Sequence, residues 1–247
     1  MNNTSFAVSE ILNKSFLFVF ANIASRLKEG FLLVLLITIS FNGLNALMAN
    51  ALATNFTILL FVFFSMLLMS SIGISVHKEI LSNYKQSFFS DFLSFKNIKY
   101  FINIFLITLV ATFPLLIHFI FKISNKIEIL GLNISYLFIL WILTCIFSLK
   151  FIFILPKIAL DYDYKYSLSE LNTVGSKLFI IFFIITIFFF IPSIIILSLQ
   201  IALLNSNSQI YVFVKPIFDL ISFYISYLNY LVVFAAISYA YKKTKNF

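Results

Sequence analysis

The chain has 247 residues, of which 62% are hydrophobic and only 11% charged, and its formal net charge is +8. A water-soluble domain carries about 25% charged residues, so this chain has too little polar surface for water and is expected in a membrane. Its one cysteine, Cys145, excludes an intramolecular disulfide and a cysteine-based metal cluster; the two histidines, His77 and His118, have no second ligand at metal-site spacing.

In chain order, the first pattern is amphipathic. Val8, Ile11, Leu12, Phe16, Val19, Ile23 and Leu27 recur at helical spacing. The apolar stretch Phe16–Ala24 is short and preceded by Lys14, so no cleavable signal peptide is expected. Six longer runs follow, each near the roughly 20 residues that a helix needs to cross a bilayer. They are Phe31–Leu52, Phe56–Val76, Tyr100–Phe121, Ile134–Leu155, Leu178–Leu204 and Ile217–Tyr241. The first is the weakest, because Asn42, Gly43 and Asn45 interrupt it. These runs are continuous rather than alternating and about twice the length of a barrel strand, so transmembrane helices are predicted. The connections near Asn50–Asn55, Lys122–Asn133 and Asn205–Pro216 are too short for a folded domain.

The cations fix an expected orientation. Lys14, Arg26 and Lys28, then Lys78, Lys85, Lys96 and Lys99, then Lys150, Lys157, Lys165 and Lys177, then Lys242, Lys243 and Lys245 fall in alternate segments, whereas only Lys122, Lys126 and Lys215 fall in the others. The positive-inside rule then places both termini and the two longer loops in the cytoplasm. The +8 charge is read as topology, and no nucleic-acid partner is expected.

An internal repeat organises the spans. Tyr84-Lys85-Gln86-Ser87 and Tyr164-Lys165-Tyr166-Ser167 open the two longer loops, and Ser90-Asp91-Phe92 and Ser169-Glu170-Leu171 follow them. Ser9-Glu10-Ile11 supplies a looser third copy, and Pro114 and Pro192 lie at similar distances beyond Asp91 and Glu170. The predicted fold is an all-α membrane protein of six transmembrane helices in three hairpins, in one integral domain spanning 1–247 with units of about 5–76, 84–156 and 164–241. Each hairpin is preceded by a cytoplasmic amphipathic helix. In the second unit Phe88, Phe89, Phe92 and Phe95 would form the apolar face opposite Asp91, Ser94 and Asn97, and in the third Ser167 and Glu170 have capping-box spacing. Such helices either lie in the headgroup layer or pack on the bundle as linkers.

The stretch from Lys150 through Pro156 to Asp161, running on through Ser167, Glu170 and Lys177, resembles the bacterial inner-membrane family typified by YciC. That family is related to the membrane domain of some glycerophosphodiester phosphodiesterases. The resemblance implies six helices in hairpins with cytoplasmic amphipathic helices, and no catalytic domain. The small residue and Ser that the family carries on its loop helix have no clean counterpart around Thr173–Ser176.

Ionisable and polar groups inside spans are the default functional candidates. Asp219, Ser222, Ser226 and Asn229 advance by steps of three and four, forming one stripe on the sixth span; it serves either a solute path or interhelical hydrogen bonding. Tyr224, Tyr227 and Tyr230 run beside it, and Lys215 can pair with Asp219. Lys85, Lys96, Lys99 and Lys165 are the candidate headgroup contacts. Lys150 is shallow enough to snorkel, and His118 reads as a boundary residue.

No phosphate loop, nucleophile elbow or paired catalytic carboxylates is present, and the whole chain has five glycines. The expectation is a non-enzymatic protein of the bacterial cytoplasmic (inner) membrane without cofactor or metal. It would associate with membrane lipids or scaffold a membrane-protein partner; the alternative is a small-solute permease or lipid-handling transporter.

Overall fold

The computed structural model describes residues 6–49, 55–121, 126–129, 132–162, 174–206 and 208–244. In chain order these form α1 (Val8–Phe20), α2 (Ile23–Ala49), α3 (Asn55–Ser82), α4 (Phe95–Phe121), β1 (Lys126–Ile129), β2 (Leu132–Ser135), α5 (Tyr136–Leu149), α6 (Ile154–Ala159), α7 (Gly175–Ser206) and α8 (Ser208–Thr244). Six segments are long and apolar enough to cross a membrane: Ile23–Met48, Phe56–Ser82, Phe95–Ile117, Leu137–Ala159, Gly175–Ser206 and Gln209–Thr244. The amphipathic helix predicted around Ser167 and Glu170, and Lys165 with it, lies outside the described residues.

Several boundaries differ from the hydropathy reading, each for a physical reason. The first span starts at Ile23 rather than Phe31, taking Arg26, Lys28 and Glu29 into the helix. Pairing of Arg26 with Glu29 and Glu79 offsets the cost that hydropathy assigns to those charges. The fourth span is not one rod. After Leu149 the chain makes successive i to i+3 turns, with Phe151 N–H donating to Ser148 O and Ile154 N–H to Phe151 O, before α6 begins. Pro156 falls in the first turn of α6, where its missing N–H costs nothing. Between the last two spans the predicted outer connection is mostly helical, and Pro216 lies inside α8 rather than in a loop.

The described elements are helical, with one short exception. β1 and β2 pair antiparallel, with Lys126 opposite Ser135 and Ile129 opposite Leu132. Lys-Ile-Glu-Ile and Leu-Asn-Ile-Ser each alternate with the period of two that a short hairpin uses.

The second predicted amphipathic helix is a run of turns instead. Ser90, Phe92 and Ser94 donate backbone N–H groups to Ser87, Phe89 and Asp91, each three residues back. Serine hydroxyls compete locally: Ser90 Oγ bonds Ser87 O at 2.8 Å and Ser94 Oγ bonds Asp91 O at 2.7 Å. The first is a true helix, α1, with Ile11, Ser15 and Val19 buried, and Ser15 Oγ donating to Ile11 O so that the inward face stays effectively apolar. It does not lie across the bundle end. Lys177, at the start of α7, stands over the Phe6 ring, whereas Phe16 and Phe20 meet Phe188 and Phe189 deep within α7. Eleven helical residues from Lys177 to Phe188 span about 16 Å, so α1 runs alongside α7.

The helices alternate in direction, so the cationic segments gather at one end of the bundle. Lys85 meets Glu29, Lys96 meets Asp161 and Lys243 meets Glu10 there. Burial is concentrated near that end: Ile72, Ile74, Tyr100, Leu155, Leu178, Leu231, Ala235 and Ala240 are almost solvent-free. Toward the other end Phe63, Phe105, Phe113, Phe190, Ile195 and Phe213 face outward. α4 packs on α5 and α7 on α8, as neighbours in sequence should. α2 and α3, however, each pack more extensively on α8 than on each other.

Two glycines make the α8 and α4 contacts close. A Cβ on Gly30 would lie 2.4 Å from Tyr227 Cζ, and one on Gly73 would lie 2.4 Å from the Tyr100 hydroxyl. In each case a buried tyrosine ring lies against bare helix backbone.

Candidate functional site

The predicted stripe on α8 proves to be largely occupied. Asp219 is buried, and Lys215 Nζ, one turn earlier, donates to its Oδ2 at 2.5 Å. The same ammonium reaches Asn42 Oδ1 on α2 at 3.5 Å and stands 5.7 Å from the Phe41 ring centre. Ser226 Oγ donates to Ser222 O at 3.1 Å, within its own helix. Asn229 Oδ1 is shielded and accepts no hydrogen bond among the described residues. The stripe thus spends its charge on an α2–α8 contact.

At the lysine-rich end, polar groups organise around Arg26. Its guanidinium grips Glu79 with two parallel bonds, Nη1 to Oε2 at 2.9 Å and Nη2 to Oε1 at 2.7 Å, and reaches Glu29 Oε2 at 3.1 Å. Phe18 on α1 covers its other face, with the ring centre 4.2 Å from Cζ. Tyr227 Oη donates to Arg26 O at 3.0 Å. Three helices and α1 therefore meet at one residue. Sequence reasoning missed it, although a signal existed. A chain that uses Lys 16 times and Arg once has kept its sole guanidinium where a planar fork is needed.

The flanking turns are held by carboxylates. Lys78 Nζ donates to Asp91 Oδ2 at 2.7 Å and Gln86 Nε2 to the same oxygen at 2.6 Å. Partial burial pushes the Asp91 carboxyl upward, but these two donors outweigh it and hold it below the usual carboxylate range. Glu10 on α1 is likewise held low by the ammonium groups of Lys14 and Lys243. After α6 the chain makes a Schellman turn, with Tyr162 N–H to Lys157 O and Asp161 N–H to Ile158 O. Asp161 takes φ 59°, a left-handed conformation that Asp and Asn tolerate, and its carboxylate meets Lys96 on α4 at 2.5 Å.

Beneath these pairs lies a wholly buried chain of three side chains. Tyr100 Oη is 2.7 Å from His77 Nε2, and His77 Nδ1 is 2.6 Å from Ser238 Oγ, which donates to Phe234 O at 2.8 Å. One arrangement satisfies every atom: Tyr100 donates to Nε2, Nδ1–H donates to Ser238, and Ser238 donates to the carbonyl. A serine whose proton is directed at a backbone carbonyl, with no solvent reaching it, is not poised as a nucleophile. The network ties α3, α4 and α8 together.

One open feature is different in kind. A half-enclosed cavity of about 770 Å³ lies between the α4–α5 pair and the α7–α8 pair, with α6 at its lysine-rich end. Its wall is almost entirely apolar, with Trp141, Phe182 and Phe183 prominent. Phe234 contributes to this wall and separates the cavity from His77, whose ring centre is 5.9 Å from its own. None of Asp219, Ser222, Ser226 or Asn229 lines it.

Of the predicted headgroup contacts, Lys85 is the most exposed and pairs with Glu29, while Lys96 pairs with Asp161. Lys99 sits half-buried in the first turn of α4. Cys145 lines the cavity.

Six apolar helices with buried polar pairs and an outward apolar belt define an integral membrane protein. Comparison with protein-family models, curated proteins and solved structures finds no match.

Proposed function

We propose that the chain is a non-enzymatic protein of the bacterial inner membrane, with both termini cytoplasmic, that associates with anionic lipid or scaffolds a membrane partner. The observation that carries this reading is the gathering of cations at one end of an apolar belt. Lys14, Lys85 and Lys243 are each about half exposed there, beyond rings such as Phe31 and Phe183 that face outward. A lysine near an anionic leaflet contributes about 1 kcal/mol of attraction. The same asymmetry supports the cytoplasmic placement of that end. The test is lipid composition around the purified protein. Replacing Lys85, Lys96, Lys99 and Lys165 by glutamine should reduce the enrichment of anionic lipid in native nanodiscs, and an unchanged composition would overturn the reading.

A second reading, lipid handling, is favoured by the apolar cavity. A small-solute permease using the α8 stripe has less support, because Asp219 is already neutralised by Lys215. Flux in proteoliposomes that falls on Asp219→Asn would restore it. Membership of the YciC-like family is likewise our proposal, on Lys150 in the turn after α5, Pro156 in α6 and Asp161 in the turn that follows.

A further inference from the structure

The geometry points to a lipid site: we propose that the cavity between the α4–α5 and α7–α8 pairs holds an acyl chain of one anionic glycerophospholipid drawn from the leaflet on the lysine-rich side. The inference deepens the lipid-associated reading and rests on it.

Four observations converge. First, the cavity lies within segments long and apolar enough to cross the bilayer, so what surrounds it there is hydrocarbon rather than water. Its volume falls among pockets that engulf small molecules, roughly 300–1,000 Å³, and a void of that size left empty would forfeit contact along its whole wall. Apolar lining excludes water as the occupant.

Second, its length matches one leaflet. On α5 the wall runs from Phe138 through Trp141, Ile142 and Cys145 to Leu149, residues that fall on one helix face. Eleven residues of helix rise about 16 Å. Half of a roughly 30 Å hydrocarbon core is nearly the same. A groove of that reach accommodates a chain from one side only.

Third, its two ends differ. At the lysine-rich end it is bounded by Leu149, Ile152 and Leu155, and Lys150 follows Leu149 in the chain without itself lining the cavity. Lys150 makes no ion pair among the described residues, in contrast to Lys78, Lys85 and Lys96. Its stem is fixed beside α7, since a Cβ on Gly175 would lie 3.1 Å from Lys150 Cγ. A half-buried lysine next in the chain to the lysine-rich end of an apolar slot complements a phosphate with a hydrocarbon tail. A neutral apolar ligand would leave that charge unused.

Fourth, the helices leave an entrance. α5 packs on α7, whereas α4 and α8 have no comparable contact, so the two pairs separate on that side. Ser148, one of the few polar groups at the wall, is satisfied internally by Cys145 O at 2.9 Å. It makes no demand on a ligand.

The test uses the full chain in nanodiscs doped with a phosphatidylglycerol that carries a diazirine at mid-chain. On irradiation, adducts should concentrate on the wall residues of α5 and α7. Ala111→Trp, which fills the groove from α4, should lower them at least about tenfold with helicity and elution unchanged. Lys150→Gln should reduce the preference for phosphatidylglycerol over phosphatidylcholine about fivefold. Adducts spread evenly over the outward-facing spans, or untouched by Ala111→Trp, would overturn the site. A measurement on the unmutated chain guards against misfolding of a variant: the sole cysteine, Cys145, should react with a membrane-permeant maleimide at least about tenfold faster after delipidation. Equal rates would also overturn it. If the glutamine variant at Lys85, Lys96, Lys99 and Lys165 kept its anionic-lipid enrichment while groove adducts formed as expected, the headgroup reading would fail and the acyl-chain site would stand.

Discussion

The two ends of the helical bundle are built on different terms. At the lysine-rich end, side chains from α1, α3, α4, α6 and α8 enclose one another. Tyr100 and Tyr227 lie against Gly73 and Gly30, His77 and Asn97 are hydrogen-bonded by protein, and Arg26 is held through its two terminal nitrogens while its Nε has no partner among the described residues. Toward the far end the same helices turn Phe56, Leu59, Phe113, Phe190 and Phe213 outward, and among the described residues no comparable set of buried partners covers them. One half is completed by protein, and the other presents its apolar side chains outward. Buried polar groups are costly unless paired; the larger networks gather at the lysine-rich end, while the Lys215–Asp219 pair stands apart on α8.

The contrast can be broken by substitution. The largest effect is expected for Arg26→Ala, which strips Glu79 and Glu29 of a shared partner and leaves the partly buried Glu79 carboxylate uncompensated, while Glu29 keeps Lys85. A loss of about 3–5 kcal/mol is expected in detergent unfolding, with Arg26→Lys recovering only part because one ammonium cannot make both parallel bonds. Next, alanine at equivalent glycines should act oppositely in the two halves. Gly73→Ala forces its Cβ against the Tyr100 hydroxyl and should cost about 1–3 kcal/mol. Gly43→Ala, with nothing within 4 Å, should be neutral or gain up to about 1 kcal/mol from helix propensity. His77→Phe keeps the ring but removes both hydrogen-bonding nitrogens from Tyr100 and Ser238. It should lower the thermal midpoint by an amount equivalent to about 1–3 kcal/mol.

The smallest effect is pH-dependent and confined to the lysine-rich end. Asp91 and Glu10 are held below their ordinary carboxylate range in the folded protein. Their contribution is therefore fully present above an unfolded value of about 4 and is lost as pH falls through the lower folded values. Thermal midpoints measured from pH 7 down to pH 3 should decline at the acid end, and Asp91→Asn should flatten part of that decline.

How much of this was legible in the sequence follows the same division. The spans were readable because hydrocarbon imposes a length and a composition on any helix crossing it. The gathering of lysines at one end was readable because alternate connections share a side. What escaped depends on which helix meets which. Nothing local in Ser87–Ser94 says that serine hydroxyls will draw the chain into turns, since the phenylalanine spacing fits a helix equally well. His77, Tyr100 and Ser238 are ordinary residues until α3, α4 and α8 bring them together. The α8 stripe could be proposed from its helical spacing, but Asn42 and Phe41, the partners of the neighbouring Lys215, lie 173 and 174 residues from it and could not be assigned from spacing. Arg26 was the exception: its singularity among lysines was visible, although its role was not.

The division between a protein-completed end and an end with outward apolar side chains is tested most directly by residue-resolved hydrogen exchange before and after delipidation. Residues 68–80 and 227–241 should keep their protection, while residues 105–117 and 190–206 lose theirs. A uniform rise in exchange along all helices, or earlier loss in the segments around His77 and Ser238, would contradict it.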